Sequence, residues 1–177
     1  IGYNSGVYFV SPILDNTTSV GCNAKASSSN TMVFGDADVH RWAFGLSTTN
    51  ANHALEVGEI VGDGNGAYLT QGGTWTNASD VNKKEDFTIL NGTDLLQKIS
   101  SLPITKWRYK GSEEYHIGPM AQDFHKLFGL GTDDKGISTV DPAGIALAAI
   151  QEQQKLIEKQ QELILKLQKR IELLEKK

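Results

Sequence analysis

The C-terminal part of the chain reads DPAGIALAAIQEQQKLIEKQQELILKLQKRIELLEKK over residues 141–177. Asp141 followed by Pro142 predicts a helix start, because aspartate caps helices and proline fits the first helical position. No proline follows, so one helix is predicted as far as Lys177. Its apolar residues recur every seven positions, which indicates a coiled-coil seam. The predicted core positions are Ile150, Ile157, Ile164, Leu167, Ile171 and Leu174.

The composition of this seam bears on how many helices meet. Isoleucine at a with leucine at d favours a dimer. Gln153 and Gln160 occupy the other two d positions, and Leu156 and Leu163 at g widen the apolar stripe. Both features favour three strands, and we therefore expect a homotrimer. The alternative, a helix that folds back on its own chain, is weakened because the sequence predicts no other long helix to receive it.

The region that precedes this helix, residues 80–142, predicts a mixed domain. A first helix carries apolar residues at helical spacing, and either Thr93 or Asp94 is its candidate cap. Pro103 marks its end, because proline cannot continue a helix.

Two further elements follow in the same region. The stretches 104–109 and 115–118 predict a β-hairpin across a polar turn. Pro119 then opens a second helix that Gly129 closes. The apolar stripe of this helix consists of Met120, Phe124, Leu127 and Phe128, and we interpret it as core.

The first part of the chain has another composition. Up to Ser79 there are six acidic and two basic residues and eleven of the eighteen glycines, whereas the rest holds fifteen acidic and fifteen basic residues. Short apolar stretches between turn residues predict strands at 7–10, 31–34, 42–44 and 67–69. They fit either a small β-sandwich or a fibrous segment that buries its apolar faces against copies of itself.

These regions predict an α+β chain with three parts. Residues 1–79 form a β-rich fibre segment, residues 80–142 a helix-rich domain, and residues 143–177 a coiled coil. With 177 residues and 39% hydrophobic content the chain is long enough to fold, and its net charge of −4 without a basic cluster disfavours nucleic-acid binding. The one cysteine excludes an internal disulfide or a multi-cysteine zinc site. We expect no metal, no cofactor and no membrane span.

The break in composition falls on the segment Trp75–Glu85, and there the sequence resembles a known family. The motif elements are Ser79-Asp80, a lysine five residues after the serine, an aromatic strand and a HIGPMAQDF run over residues 116–124. Together they resemble the peptidase S74 family, the C-terminal intramolecular chaperone domains of endosialidase tailspikes and tail fibres. The resemblance covers about residues 75–155.

This resemblance implies a domain that trimerises, helps an upstream β-fibre to fold and then cuts itself off. Carried over by position, Ser79 is the nucleophile, Lys84 its general base and Ser79-Asp80 the scissile junction. The sequence departs from the family at Asn82, where arginine is common, and at Lys83, where leucine is common. Lys83 is therefore a rival for the role of base.

The chemistry of such a dyad requires a deprotonated lysine. The ordinary lysine pKa of about 10.4 must be lowered by burial or by a neighbouring positive charge before the amine can accept the serine proton. Attack by Ser79 on its own carbonyl closes a four-membered ring, whereas attack on the carbonyl of Ala78 closes a five-membered ring. The residues alone leave the bond open, and the resemblance favours Ser79-Asp80. A non-catalytic alternative makes Ser79-Asp80 the N-cap of a short helix.

Four more residues are candidates for supporting roles. His116 is a possible accessory residue, as is His125, although packing roles are favoured for both. Gly118 and Gln122 match the family run, and we predict a close backbone approach for the glycine and a buried hydrogen bond for the glutamine.

The sequence thus predicts an intramolecular chaperone that releases itself by Ser-Lys autoproteolysis. Its partners are its own copies and the upstream fibre, in a virion tail fibre or a bacterial secreted or surface fibre, with the chaperone part acting in the cytoplasm during assembly. The alternative is a non-cleaving trimeric structural or adhesive tip. A third and weaker alternative is that the β-region binds a carbohydrate receptor, for which Trp42 and Trp75 are the candidate contacts, and no carboxylate pair supports hydrolysis.

Overall fold

A computed structural model describes residues 2–7, 14–46, 53–58 and 64–176 of the chain. These residues form a mixed α+β protein, as predicted, with two compact units at Ile1–Asp86 and Phe87–Lys177. The predicted strand 7–10 lies mostly outside the described residues. The predicted division at residues 79 and 142 stays a prediction.

The described part of the first unit consists of short strands and tight turns. The strands are β1 (Gly6–Val7), β2 (Thr18–Val20), β3 (Lys25–Ala26), β4 (Met32–Phe34), β5 (Trp42–Phe44), β6 (His53–Val57), β7 (Ala67–Thr70) and β8 (Trp75–Thr76). The predicted strands at 31–34, 42–44 and 67–69 are therefore confirmed. A 3₁₀ turn, Val81–Lys83, follows β8.

The first four strands pair in parallel, β1 with β3 and β2 with β4. The same side-chain contact occurs beside each strand pair. The side-chain amide of Asn4 donates to Oδ1 of Asn23, and that of Asn16 to Oδ1 of Asn30, each at 3.0 Å. All four asparagines are left-handed, with φ between 51° and 57°, a conformation that asparagine tolerates. Equivalent residues therefore stack in successive coils of the chain, and this parallel pairing differs from that of an antiparallel β-sandwich.

The interior of these coils is narrow. Ala24 and Ala26 are completely buried. Gly21, at φ +113°, faces the next coil so closely that a Cβ there would lie 3.1 Å from the Cα of Gly35. The larger side chains of β4 point outward, since Met32 and Phe34 are 59% and 52% exposed. One copy of this segment therefore buries small residues and leaves large ones in water.

The remaining strands form one sheet in the order β5-β6-β7-β8. The first pair is parallel and the other two are antiparallel. Within this sheet the buried Glu56 accepts from the imidazole of His53 at 2.9 Å, and His53 stacks on Tyr68 with 3.6 Å between ring centroids. The sheet leads directly through β8 into the segment that carries Ser79.

The second unit contains, in order, α1 (Gly92–Ser101), β9 (Thr105–Arg108), β10 (Tyr115–Gly118), α2 (Ala121–Phe128) and α3 (Val140–Glu175). The predicted hairpin is confirmed, because β9 and β10 pair antiparallel with Trp107 opposite His116. Leu95 of α1, Phe124 of α2 and Ala149 of α3 are its buried apolar side chains among the described residues.

The helix ends confirm some sequence predictions and correct others. Gly129 closes α2 in the left-handed conformation at φ +65°, as predicted. The cap of α1 is Asn91, whose side chain accepts from the backbone N–H of Asp94 at 3.1 Å, so the prediction of Thr93 or Asp94 as cap was wrong. The prediction of Asp141 as cap of α3 was also wrong, because the helix begins one residue earlier and Asp141 lies in its first turn. An acidic residue there stabilises the helix through its dipole.

The apolar seam of α3 is exposed along the helix. Its predicted core residues are 47–62% exposed; they are Ile150, Ile157, Ile164, Leu167, Ile171 and Leu174. Burial of such a side chain contributes about 2 kcal/mol, which a single copy does not gain. None of the helices in the described residues is long and apolar enough to cross a membrane.

Candidate functional site

Ser79 and Lys84 meet just after β8. The ammonium of Lys84 donates to the hydroxyl oxygen of Ser79 with 2.7 Å between Nζ and Oγ. Both residues are exposed. The structure therefore brings the predicted nucleophile and the predicted base into direct hydrogen-bond contact.

The contact exists because the chain reverses between the two residues. The 3₁₀ turn returns the backbone, with the N–H of Lys83 bonded to the carbonyl of Asp80 at 3.1 Å and the N–H of Lys84 to that of Val81 at 3.2 Å. Lys84 ends the turn in an extended conformation at φ −125°. Its side chain then reaches back to Ser79, five residues earlier.

Asp80, the residue after Ser79, caps this turn. Its carboxylate oxygen accepts from the backbone N–H of Asn82 and from the Asn82 side-chain amide, each at 2.9 Å. These two hydrogen bonds, and more weakly the positive charge of Lys83, lower the pKa of the exposed Asp80 carboxyl below its ordinary value of 3.8. The N-cap role that was the non-catalytic alternative for Ser79-Asp80 is thus filled by Asp80 and leaves the Ser79 hydroxyl for Lys84.

The two neighbouring lysines point to different places. A Cβ on Gly66 would lie 3.6 Å from Nζ of Lys83, so this side chain extends over the turn that precedes β7. Lys84 alone makes the contact with Ser79 described above. The geometry therefore separates the two candidates for the base that the sequence left open.

The hydrogen bond in the structure and the catalytic step differ in the direction in which the proton moves. In the present arrangement the charged amine donates and the hydroxyl accepts. General-base catalysis runs the proton the other way, from Oγ to an uncharged amine. The heavy-atom distance of 2.7 Å suits both directions, and the reverse transfer requires prior loss of an amine proton.

The predicted accessory residue His116 belongs to the hairpin of the second unit. Its ring packs against Trp107 with 4.9 Å between centroids and against Tyr109 at 5.9 Å, which is the packing role favoured from the sequence. His125 bonds through Nδ1 to the carbonyl oxygen of Leu130 at 2.8 Å and so holds the end of α2.

The two residues of the family run are placed differently from the predictions. A Cβ on Gly118 would meet only Nε1 of Trp107, at 3.9 Å, which is ordinary contact, so the predicted close backbone approach was wrong. Gln122 is exposed, and the predicted buried hydrogen bond was wrong as well, because α2 turns Phe124 inward and Gln122 outward.

The candidate carbohydrate contacts lie at opposite edges of one sheet. Trp42 is on β5 and Trp75 on β8, 40% and 47% exposed respectively. Two strands separate them, so they do not form one aromatic platform within a copy.

One functional contact was missed from the sequence, the pairing of Asn82 with Asp80. Its signal was present, since aspartate readily accepts from the backbone two residues later. The described residues contain no cluster of three or more histidine, cysteine or acidic side chains that could hold a metal ion.

Comparison with known proteins gives one family match, which covers part of this chain. Residues 79–129 match the Peptidase_S74 family, chaperone of endosialidase. The resemblance predicted from the sequence is thereby confirmed. The match begins at Ser79 and ends at Gly129, the residue that closes α2. Searches of curated proteins and of solved structures gave no match. The Peptidase_S74 match indicates an intramolecular chaperone role for this segment.

Proposed function

We propose that this chain belongs to a fibrous protein whose Peptidase_S74 segment assembles three copies, assists the folding of the upstream β-fibre and then releases itself by cutting at the Ser79-Asp80 junction. The observation that carries the proposal is the 2.7 Å hydrogen bond between Lys84 and Ser79. It joins the two residues that the chemistry needs, at the first residue of the matched segment.

The assembly step is supported by the exposed seam of α3. Fibre strands that pair between distant residues or between chains form slowly and expose edges to aggregation. A helical clamp that gathers the copies first raises their effective concentration and sets their register. The exposed outward side chains of β4, Met32 and Phe34, are among the surfaces that such assembly would cover.

The cleavage step uses Lys84 as base and Ser79 as nucleophile. The uncharged amine takes the proton of Oγ as that oxygen attacks the carbonyl carbon of Ser79, the Ser79–Asp80 amide bond breaks, and the resulting ammonium returns a proton to the departing nitrogen of Asp80. Water then hydrolyses the ester. Packing of copies around the exposed pair would remove water from it, which favours the uncharged amine, so cleavage follows assembly.

The fibre context follows from the same resemblance. We assign the protein to a virion tail fibre or a bacterial secreted or surface fibre, with the chaperone part acting in the cytoplasm during assembly. Cleavage makes the assembled fibre hard to unfold, because the released fibre no longer shares an equilibrium with its clamp.

Mass spectrometry of the purified chain tests this function. The expected products of the wild type are residues 1–79 and 80–177. Ser79→Ala and Lys84→Ala should each slow cleavage about 100-fold or more, whereas the matched control Lys83→Ala should cleave within about twofold of the wild type, because Lys83 lies near Gly66. Equal cleavage of the Ser79→Ala chain would contradict the proposal.

N-terminal sequencing of the second product identifies the bond. Asp80 as first residue supports cleavage of Ser79-Asp80. Ser79 as first residue would instead indicate attack on the carbonyl of Ala78, through the five-membered ring.

A second candidate function is a non-cleaving trimeric tip. The observation that favours it is that Lys84 and Ser79 are both exposed and the charged amine donates. This function predicts an intact wild-type chain whose molar mass in solution is that of several copies, identical to that of the Ser79→Ala chain.

A further inference from the structure

Asn82 occupies the position at which the family commonly has arginine, and it contacts the residue that follows the cleavage junction. Its backbone N–H and its side-chain amide both donate to the same oxygen, Oδ1 of Asp80, at 2.9 Å each. Asp80 has an extended backbone, with φ −66° and ψ 131°, and caps the 3₁₀ turn. The side chain of Asn82 therefore closes a small ring on the departing side of the junction.

This ring bears directly on the distance between Ser79 and Lys84. Five residues in extended conformation span roughly 17 Å, whereas Nζ and Oγ are 2.7 Å apart. Only the turn that Asp80 caps brings them together. A frayed turn would carry Lys84 away from Ser79 without altering either residue.

The ring also occupies one oxygen of an acidic group close to Lys84 in sequence. The Asp80 carboxylate is one of three acidic groups within four residues of Lys84, with Glu85 and Asp86, and a carboxylate paired with Lys84 would favour the charged amine. Instead Oδ1 is taken by Asn82, and the charge that acts on Asp80 is that of Lys83. Lys84 is left on the serine hydroxyl.

We infer that Asn82 is a positioning residue for the cleavage: by holding Oδ1 of Asp80 it keeps the turn closed and keeps Lys84 on Ser79. The inference rests on the proposed function. Asparagine and arginine side chains each carry an N–H donor that can reach a carboxylate.

Cleavage kinetics give the first test. Asn82→Ala removes the side-chain donor and keeps the backbone one, so it should slow cleavage about fivefold. Asn82→Arg restores a donor and should return the rate to within about twofold of the wild type. The control Asn77→Ala, which removes an asparagine that contacts the indole of Trp75, should cleave at the wild-type rate. An Asn82→Ala chain as fast as the wild type overturns the inference, and so does a slow variant that Asn82→Arg fails to rescue.

A carboxyl titration by nuclear magnetic resonance gives a second test that needs no cleavage. In the Ser79→Ala chain, adding Asn82→Ala should raise the pKa of Asp80, because one of its two donors is lost, and adding Asn82→Arg should lower it again. An unchanged pKa of Asp80 overturns the inference. If the wild-type chain stays intact, the proposed function fails, and this titration alone then decides whether Asn82 holds Asp80.

Discussion

In the first unit Ala24 and Ala26 are completely buried by neighbouring coils of their own chain, whereas in α3 Ile157 and Ile164 remain 47% and 53% exposed. The coils bury small side chains against one another, since each coil stacks on the next and repeats its asparagine contacts. The helix differs, because residues 153–176 are all exposed in the part of the chain that the structure describes. The comparison separates a segment that buries its small side chains within one copy from a helix whose apolar side chains stay exposed in one copy.

The largest effect is expected from a substitution in the apolar seam of α3. Ile164→Asp places a charge in the predicted seam, and three copies would each lose about 2 kcal/mol of apolar burial and bury a carboxylate. Self-association should weaken by more than roughly 1000-fold. Light scattering after size-exclusion chromatography measures the molar mass in solution.

The neighbouring residue provides a matched control for that variant. Leu165 is as exposed as Ile164, at 57% against 53%, but lies at an outward heptad position. Leu165→Asp makes a comparable change and should leave the assembly intact. Equal behaviour of the two variants would show that the heptad seam is not the interface.

A smaller effect is expected from substitution of Gly21, which lies in the stacked coils of the first unit. Its φ is +113°, which side chains rarely allow, and an added Cβ would lie 3.1 Å from the Cα of Gly35, closer than ordinary contact. Gly21→Ala should therefore destabilise the first unit by about 2 kcal/mol. Chemical denaturation followed by tryptophan fluorescence measures this change.

Gly72 is the control for this position. It has no left-handed φ, and a Cβ there would lie 3.8 Å from the nearest atom, Oγ1 of Thr70. Gly72→Ala should therefore leave the free energy of unfolding nearly unchanged. A Gly21→Ala chain as stable as Gly72→Ala contradicts the stacked-coil description.

The smallest effect concerns how the stability of the turn that Asp80 caps depends on pH. Because the folded-state pKa of Asp80 lies below 3.8, its contribution to the turn is fully present above the pKa of the unfolded chain and is lost as the pH falls through the folded value. The protection factor of the Asn82 amide, which is its exchange rate relative to an unfolded chain at the same pH, should therefore fall as the pH drops below 3.8. In Asp80→Ala the same exchange should be fast at neutral pH, and a pH-independent difference between the chains is the contrary outcome.

Much of the architecture could be predicted because local signals were strong. The seven-residue spacing predicted α3, the polar turn between two apolar stretches predicted the hairpin, and Gly129 predicted the end of α2. The caps of α1 and α3 were misplaced because several residues near each helix start have side chains that can accept from the backbone, and only the backbone conformation decides which one does. The exposure of Gln122 was likewise a matter of which face α2 turns inward.

The sequence by itself determined the residue types of the junction, Ser79, Asp80 and two lysines, and their resemblance to a self-cleaving chaperone. The tertiary structure decided that Lys84 and not Lys83 contacts Ser79, and that Asn82 holds Asp80. It also decided that β1 to β4 pair in parallel. The physical reason is common to these results: side-chain direction and strand pairing depend on backbone dihedral angles and on contacts between residues distant in sequence, which composition and spacing do not specify.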